Sequence, residues 1–281
     1  MNPVWSLRSP LLGWCLGFTV LAGAALVFAL PLATAVLWSL VDPEVGWFPP
    51  HILPASLSLA NWRDMLAVPE LEEALGRSFL IAVLVTSLSA LLGLPTGYAL
   101  GRGRFPGRRA IEVLVLTPLM MPGIVLAIGL GGIFMRIGLS QTLTGVVLVQ
   151  TAVILPLSIR ILAATAQSIP PDLIDAATNL GAGPAALARH ILVPLLLPGL
   201  LASALLSFIA SLEEFLLSFV VGMPTIQTLP MLLWAYLGGR SAILSYAAVV
   251  TVALLIPTLL VLVVVERVLK QEYLAAGFGK A

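Results

Sequence analysis

Charge is what this sequence has least of. Only 10% of its 281 residues are Asp, Glu, Lys or Arg, where a soluble domain carries about 25%. The formal net charge is +1, which offers no electrostatic footprint for a nucleic-acid partner. There is one cysteine, Cys15, so neither a disulfide framework nor a thiolate metal site can be built from this chain alone. The two histidines, His51 and His190, stand apart with no metal-ligand spacing around either, and no metal site is expected. No Gly-x-x-x-x-Gly-Lys-Ser/Thr phosphate loop occurs, which excludes that route to binding ATP. Ser, His and Asp are too scattered to suggest a catalytic triad. The chain is therefore not expected to be an enzyme, nor to hold a cofactor of its own.

Apolar residues are what it has in abundance. They make up 60% of the sequence, and the mean hydropathy is +1.09. Such a chain cannot bury all its apolar surface against itself, so the remainder faces lipid. The composition predicts an all-α integral membrane protein. The length suits about six spans of ~20–25 residues, expected at 16–40, 75–100, 111–135, 143–166, 192–221 and 243–265. The first run competes with a signal peptide, because Ala33-Thr34-Ala35 resembles a cleavage site. It is longer than the usual signal core, so a retained helix is expected. Trp5 and Trp14, beside Arg8, are placed at an interface.

The connectors set the orientation. Residues 41–74 are poor in Lys and Arg, which puts them outside. Arg102, Arg104, Arg108 and Arg109 crowd one short loop and put it inside, where they are expected to anchor to lipid phosphates. Glu266-Arg-Val-Leu-Lys270 puts the end of the last span on the same side, so both termini are predicted to be cytoplasmic.

Three stretches break the apolar pattern. Pro118 and Pro122 lie inside the third span. They free backbone carbonyls that need protein or a cavity around them, so Thr117–Gly123 either lines a pathway or only shapes packing. Glu213 and Glu214 lie either deep in the fifth span or near its outer end. Intramembrane carboxylates are functional candidates, and caps on a shorter span are the other reading. Adjacent helical residues point about 100° apart, so one of the pair faces a pathway, Glu213 being the better candidate. Residues 222–242, interrupted by Pro224 and Pro230, read as an outer re-entrant or interfacial segment.

The most informative stretch is the polar loop Ser168–Gly199. Ser168 is placed to cap a short helix, with Pro170 and Pro171 in its opening turn. Asp172 and Asp175 come early, where the helix dipole favours them. Gly181 suits a left-handed stop, and Pro184 opens a second helix. Small Ala176 and Ala177 would let the first helix lie close to another surface.

Asp175-Ala-Ala, Gly181-Ala182 and Ile191-Leu-Val-Pro194 resemble the EAA loop of bacterial ABC importer permeases, with Asp175 for the usual Glu and Val193 for the usual Leu. The resemblance covers about 75–265. It implies a type I ABC importer permease fold, one transmembrane domain over 1–281 with a core at about 75–268 and a coupling loop at 168–192. It also implies that Asp172, Asp175, Ala176, Ala177, Gly181 and Ala182 belong to a coupling helix that fits an ATPase groove. Partners implied are a second permease subunit, two cytoplasmic ATP-binding subunits carrying ATP and Mg, an extracytoplasmic substrate-binding protein and the lipid bilayer, in the bacterial inner membrane. Asn179-Leu-Gly-Ala182, Ser211-Leu-Glu-Glu-Phe215 and Thr228-Leu-Pro230 look most like the spermidine/putrescine-type permeases, and an acidic pair in a pathway suits a polyamine or similar cation. That group has relatives for iron, opines, thiamine and aminoethylphosphonate. A sugar importer is a further alternative. A secondary transporter is the reading from another class, and it predicts inverted repeats that are not evident here.

Overall fold

The computed structural model describes residues 10–238 and 243–278; Trp5 and Arg8 lie outside them. Two compact units are distinguished. One comprises the chain up to Ala67 with Tyr236–Val252, the other Val68–Ala235 with the chain from Ala253 onward. Among the described residues the structure is helical. Five helices are long and apolar enough to cross a membrane, and six if one sharply bent pair counts as a span.

The first unit holds α1 (Pro10–Ser39) and α2 (Ala60–Ala67). Between them the chain crosses 41–59 as an irregular connector pinned by polar contacts. The Asn61 side chain donates to the Val41 carbonyl at 2.6 Å, and the Trp62 indole donates to Ser39 Oγ at 3.3 Å. Trp38 packs against Trp47 with ring centroids 5.0 Å apart.

The second unit is built around α3 (Pro69–Arg102), α6 (Leu143–Ser168) and α9 (Val193–Leu212). Pro69 opens α3 with Glu70 and Glu72 in the first turn, where negative charge meets the positive end of the helix dipole. Thr142 caps α6 by accepting from the Gly145 N–H at 2.9 Å. Of the long helices, α6 is the most enclosed. In lipid no hydrophobic force drives helices together, so close packing by small residues decides the contact. Gly93, Gly97 and Gly101 recur every fourth residue on α3 and face α6. A Cβ on Gly97 would sit 2.7 Å from Leu162 Cβ, and one on Gly101 would sit 2.6 Å from the Ala163 carbonyl oxygen. Between α6 and α9, Ser158 and Ser207 share a 2.8 Å hydrogen bond.

The third predicted span is not one kinked helix. α4 (Arg108–Met120) and α5 (Gly123–Arg136) meet at 106°. Pro118 lacks the N–H that would continue the α4 ladder, and Pro122 resists helical geometry in the residue before it. Met121 accordingly turns extended, and together they convert a bend into a corner. The fifth span also ends earlier than expected, at Leu212. After a break it resumes as α10 (Leu216–Gly222). The 222–242 segment contains α11 (Leu229–Gly238), a ten-residue apolar helix, and α12 (Leu244–Phe278) closes the chain.

Candidate functional site

The polar loop forms α7 (Pro171–Asn179), then α8 (Pro184–Leu187), which passes through a π turn at Ala188–Leu192 into α9. Ser168 does not cap α7. It sits in the last turn of α6 and donates to the Thr165 carbonyl at 2.8 Å, and Pro170 takes the capping position with no side-chain bond. Asp172 is in the first turn as expected.

The end of α7 accounts for the spacing of the motif. Gly181 has φ +84°, in the left-handed region that a Cβ disfavours. Its N–H donates to the Thr178 carbonyl at 2.9 Å, and the next N–H, of Ala182, reaches back to the Ala177 carbonyl at 3.0 Å. This is the paired 5→2 and 6→1 closure of a Schellman stop. The closure requires glycine four residues after Ala177 and brings Ala177 and Ala182 together.

No residue of α7 is buried. Ile174, half-buried, packs with Leu192 against a small core of Ala166, Ile169 and Leu196. Asp172, Asp175 and Ala176 are exposed, and Leu180 is 89% exposed. Arg102 supports the loop from below: its guanidinium donates to the carbonyls of Ala166 and Ile169, which α6 leaves unpaired at its end. The lipid anchoring expected for the arginine cluster thus does not describe Arg102, whose donors are used inside the protein.

At a second place, two helix breaks adjoin. Pro118 and Pro122 mark the α4–α5 corner, and Glu213 and Glu214 lie in the α9–α10 break. Leu216, just past the second break, stands beside Gly123, just past the first. The two carboxylates diverge. Glu213 is exposed. Glu214 folds back over the start of α10 and accepts from the N–H groups of Leu217 at 2.8 Å and Ser218 at 2.9 Å. Beside the corner, Met120 is 86% exposed.

Sequence reasoning missed the residue that ties this break to the bundle. Gln150 of α6 is wholly buried. Its Nε2 donates to Ser218 Oγ at 2.8 Å, and its Oε1 accepts from Ser211 Oγ at 2.5 Å. Ser218 Oγ in turn donates to Glu214 Oε2 at 3.0 Å. A single amide therefore spans both sides of the break. The signal was available, since Gln150 is the one side-chain amide in an otherwise apolar stretch of span.

The family of binding-protein-dependent transport system inner membrane components matches residues 93–274, well over half of the chain. The chain belongs to that family. It is an ABC importer permease, a multi-pass inner-membrane transport subunit rather than an enzyme, which decides against the secondary-transporter alternative. ORF1 of Streptomyces antibioticus, described as an ABC transporter permease protein, is 32% identical over 216 residues, covering 76% of this chain and 94% of its own. The trehalose transport permease SugB of Mycobacterium tuberculosis is 35% identical over 167 residues, 59% of this chain and 61% of its own. The spermidine/putrescine permease PotC of Haemophilus influenzae is 30% identical over 172 residues, 61% and 67%. A bacterial ABC transporter involved in import of the acidic polysaccharide alginate shares the fold, with TM-score 0.72 over 95% of this permease and 99% of that chain at 18% identity.

Proposed function

We propose that this permease pairs with a second permease subunit, docks α7 into one cytoplasmic ATP-binding subunit, and passes on a small solute delivered by an extracytoplasmic binding protein. Two ATP-binding subunits, holding ATP and Mg, serve the permease pair. The observation that carries this reading is α7 itself. It is a rigidly stopped helix with no buried residue, presenting Asp172, Asp175 and a bare Leu180, a face of small and polar residues free to meet a partner groove. On this reading the arginine loop and both termini are cytoplasmic, and the two compact units are parts of one permease domain over 1–281.

For the pathway we propose the wall formed at the adjoining breaks, with Pro118 and Pro122 on one side and Glu213 on the other. Glu214 supports it by holding α10. An exposed carboxylate there favours a polyamine or similar cation, because it offsets substrate charge in a dry passage. The similarity to PotC supports the same class. The similarity to SugB supports a second reading, a neutral sugar.

The test is co-purification from solubilised membranes, comparing wild type with Asp175→Lys. An ATP-binding subunit and a second permease should accompany wild type, and the ATP-binding subunit should be lost from the variant. Retention of that subunit by the variant removes α7 as the docking helix. Screening the co-encoded binding protein against putrescine, spermidine and trehalose then separates the two substrate readings.

A further inference from the structure

Beside the arginine loop, α4 and α6 enclose a cleft of about 200 Å³. Glu112 of α4 and Arg160 and Gln167 of α6 stand on its walls, with Leu116 and Ile159 between them. Glu112 is four residues into α4 and Arg160 eight residues before the end of α6. At 1.5 Å per residue they lie about 6 and about 12 Å from their helix ends. With the arginine loop at the membrane face, that is the depth where lipid headgroups give way to acyl chains. Charges there need a partner. Yet neither Glu112 nor Arg160 forms an ion pair or hydrogen bond among the described residues, and they do not pair with each other across the cleft.

Opposite charges held apart on a partly apolar cleft match a ligand that carries both charges and an apolar tail. We propose that this cleft binds the headgroup of a zwitterionic phospholipid with a primary amine, phosphatidylethanolamine. Arg160 meets the phosphate, for which a guanidinium supplies paired donors. Glu112 accepts from the ammonium. Gln167 hydrogen-bonds the remaining phosphate or glycerol oxygens, and Leu116 and Ile159 meet the first methylenes of the tails. A choline headgroup has no N–H to give Glu112, and an anionic glycerol headgroup brings no cation to it. The inference rests on the reading that the arginine loop lies at a membrane face, but not on which ATP-binding subunits or solute the importer uses.

The test is native mass spectrometry of the assembled complex in detergent, with phosphatidylethanolamine, phosphatidylcholine or phosphatidylglycerol added at equal concentration. Wild type should retain phosphatidylethanolamine over the other two. Glu112→Gln and Arg160→Gln should each weaken that retention about tenfold, the loss of one charge-assisted contact, and the same spectra report whether the variant complex is assembled. Equal retention of the three lipids by wild type overturns the proposal without recourse to any variant, as does undiminished retention by both assembled variants. Free phosphoethanolamine should not displace the lipid at matched concentration. If it binds and the lipid does not, the cleft takes a soluble zwitterion and the lipid assignment is wrong.

Discussion

The side-chain amide nitrogen of Gln150 donates to the hydroxyl of Ser218 over 2.8 Å, joining the most buried helix of the bundle to the far side of a broken span. Ser211, on the near side, donates to the same amide. Gln150→Leu fills the volume but leaves Ser211 without its acceptor. It is expected to destabilise the permease by about 1 kcal/mol, the scale of an interhelical hydrogen bond in a membrane. Thermal unfolding of the purified complex reads this. A midpoint equal to wild type would mean that the break is held by packing alone.

The two glycines Gly76 and Gly97 share helix α3 and should respond oppositely to alanine. A Cβ on Gly76 meets nothing within 4 Å, whereas one on Gly97 comes within 3.1 Å of the Ile159 carbonyl oxygen and the Ala163 amide nitrogen. Gly76→Ala is expected to be neutral or slightly stabilising through helix propensity. Gly97→Ala should cost about 1–3 kcal/mol by forcing α3 away from α6. Comparing the yield of assembled complex and its thermal midpoint for the two variants decides the point, and equal behaviour would show that the α3–α6 spacing is soft.

Gly181 offers a cleaner case, because a Cβ there meets nothing within 4 Å while φ is +84°. Any penalty is therefore conformational. Gly181→Val should unwind the stop of α7 and lower transport per ATP hydrolysed, whereas Gly181→Asn, which tolerates the left-handed region, should retain most of it. The check is paired transport and ATPase assays in proteoliposomes. Unchanged coupling in a properly assembled Gly181→Val complex would detach this loop from energy transfer.

Arg102 and Arg104 are two residues apart and have different duties. Arg102→Ala removes the donors that satisfy the carbonyls of Ala166 and Ile169. The expected loss is about 1–2 kcal/mol, allowing for partial exposure. Hydrogen exchange should quicken across 169–182. Arg104 is exposed, with no protein partner among the described residues, and Arg104→Ala should leave that exchange unchanged. Matching exchange in the two variants would remove the supporting role of Arg102.

Four of the six expected spans, at 16–40, 75–100, 143–166 and 243–265, were legible because continuous apolar runs of span length have few other uses. The stop at Gly181 was legible for a local reason: backbone handedness is settled by one residue and its immediate neighbours. The dominant events at the breaks were not legible. Pro118 and Pro122 announce a disturbance, but whether two prolines give a kink or a 106° corner depends on what packs into the angle. Leu216, almost a hundred residues away, is among the neighbours beside that corner. The divergence of Glu213 and Glu214 follows from the end of α9 at Leu212, which no periodicity of the apolar run reveals. Ser168 has the chemistry of a cap but belongs to the last turn of α6, a competition between two helices that a sequence window cannot arbitrate.

Leu180 closes α7 with its side chain almost wholly in solvent. On the proposed topology, a lone subunit still without its ATP-binding partner would carry an apolar knob at the tip of a cytosolic loop. Such surface is what chaperones and proteases survey. The residue proposed to meet the partner would then also report its absence, shortening the life of unassembled permease and keeping the subunits in balance without any dedicated regulator. Pulse–chase of the permease made alone should show Leu180→Ser outliving wild type, and equal lifetimes would assign the surveillance to another feature.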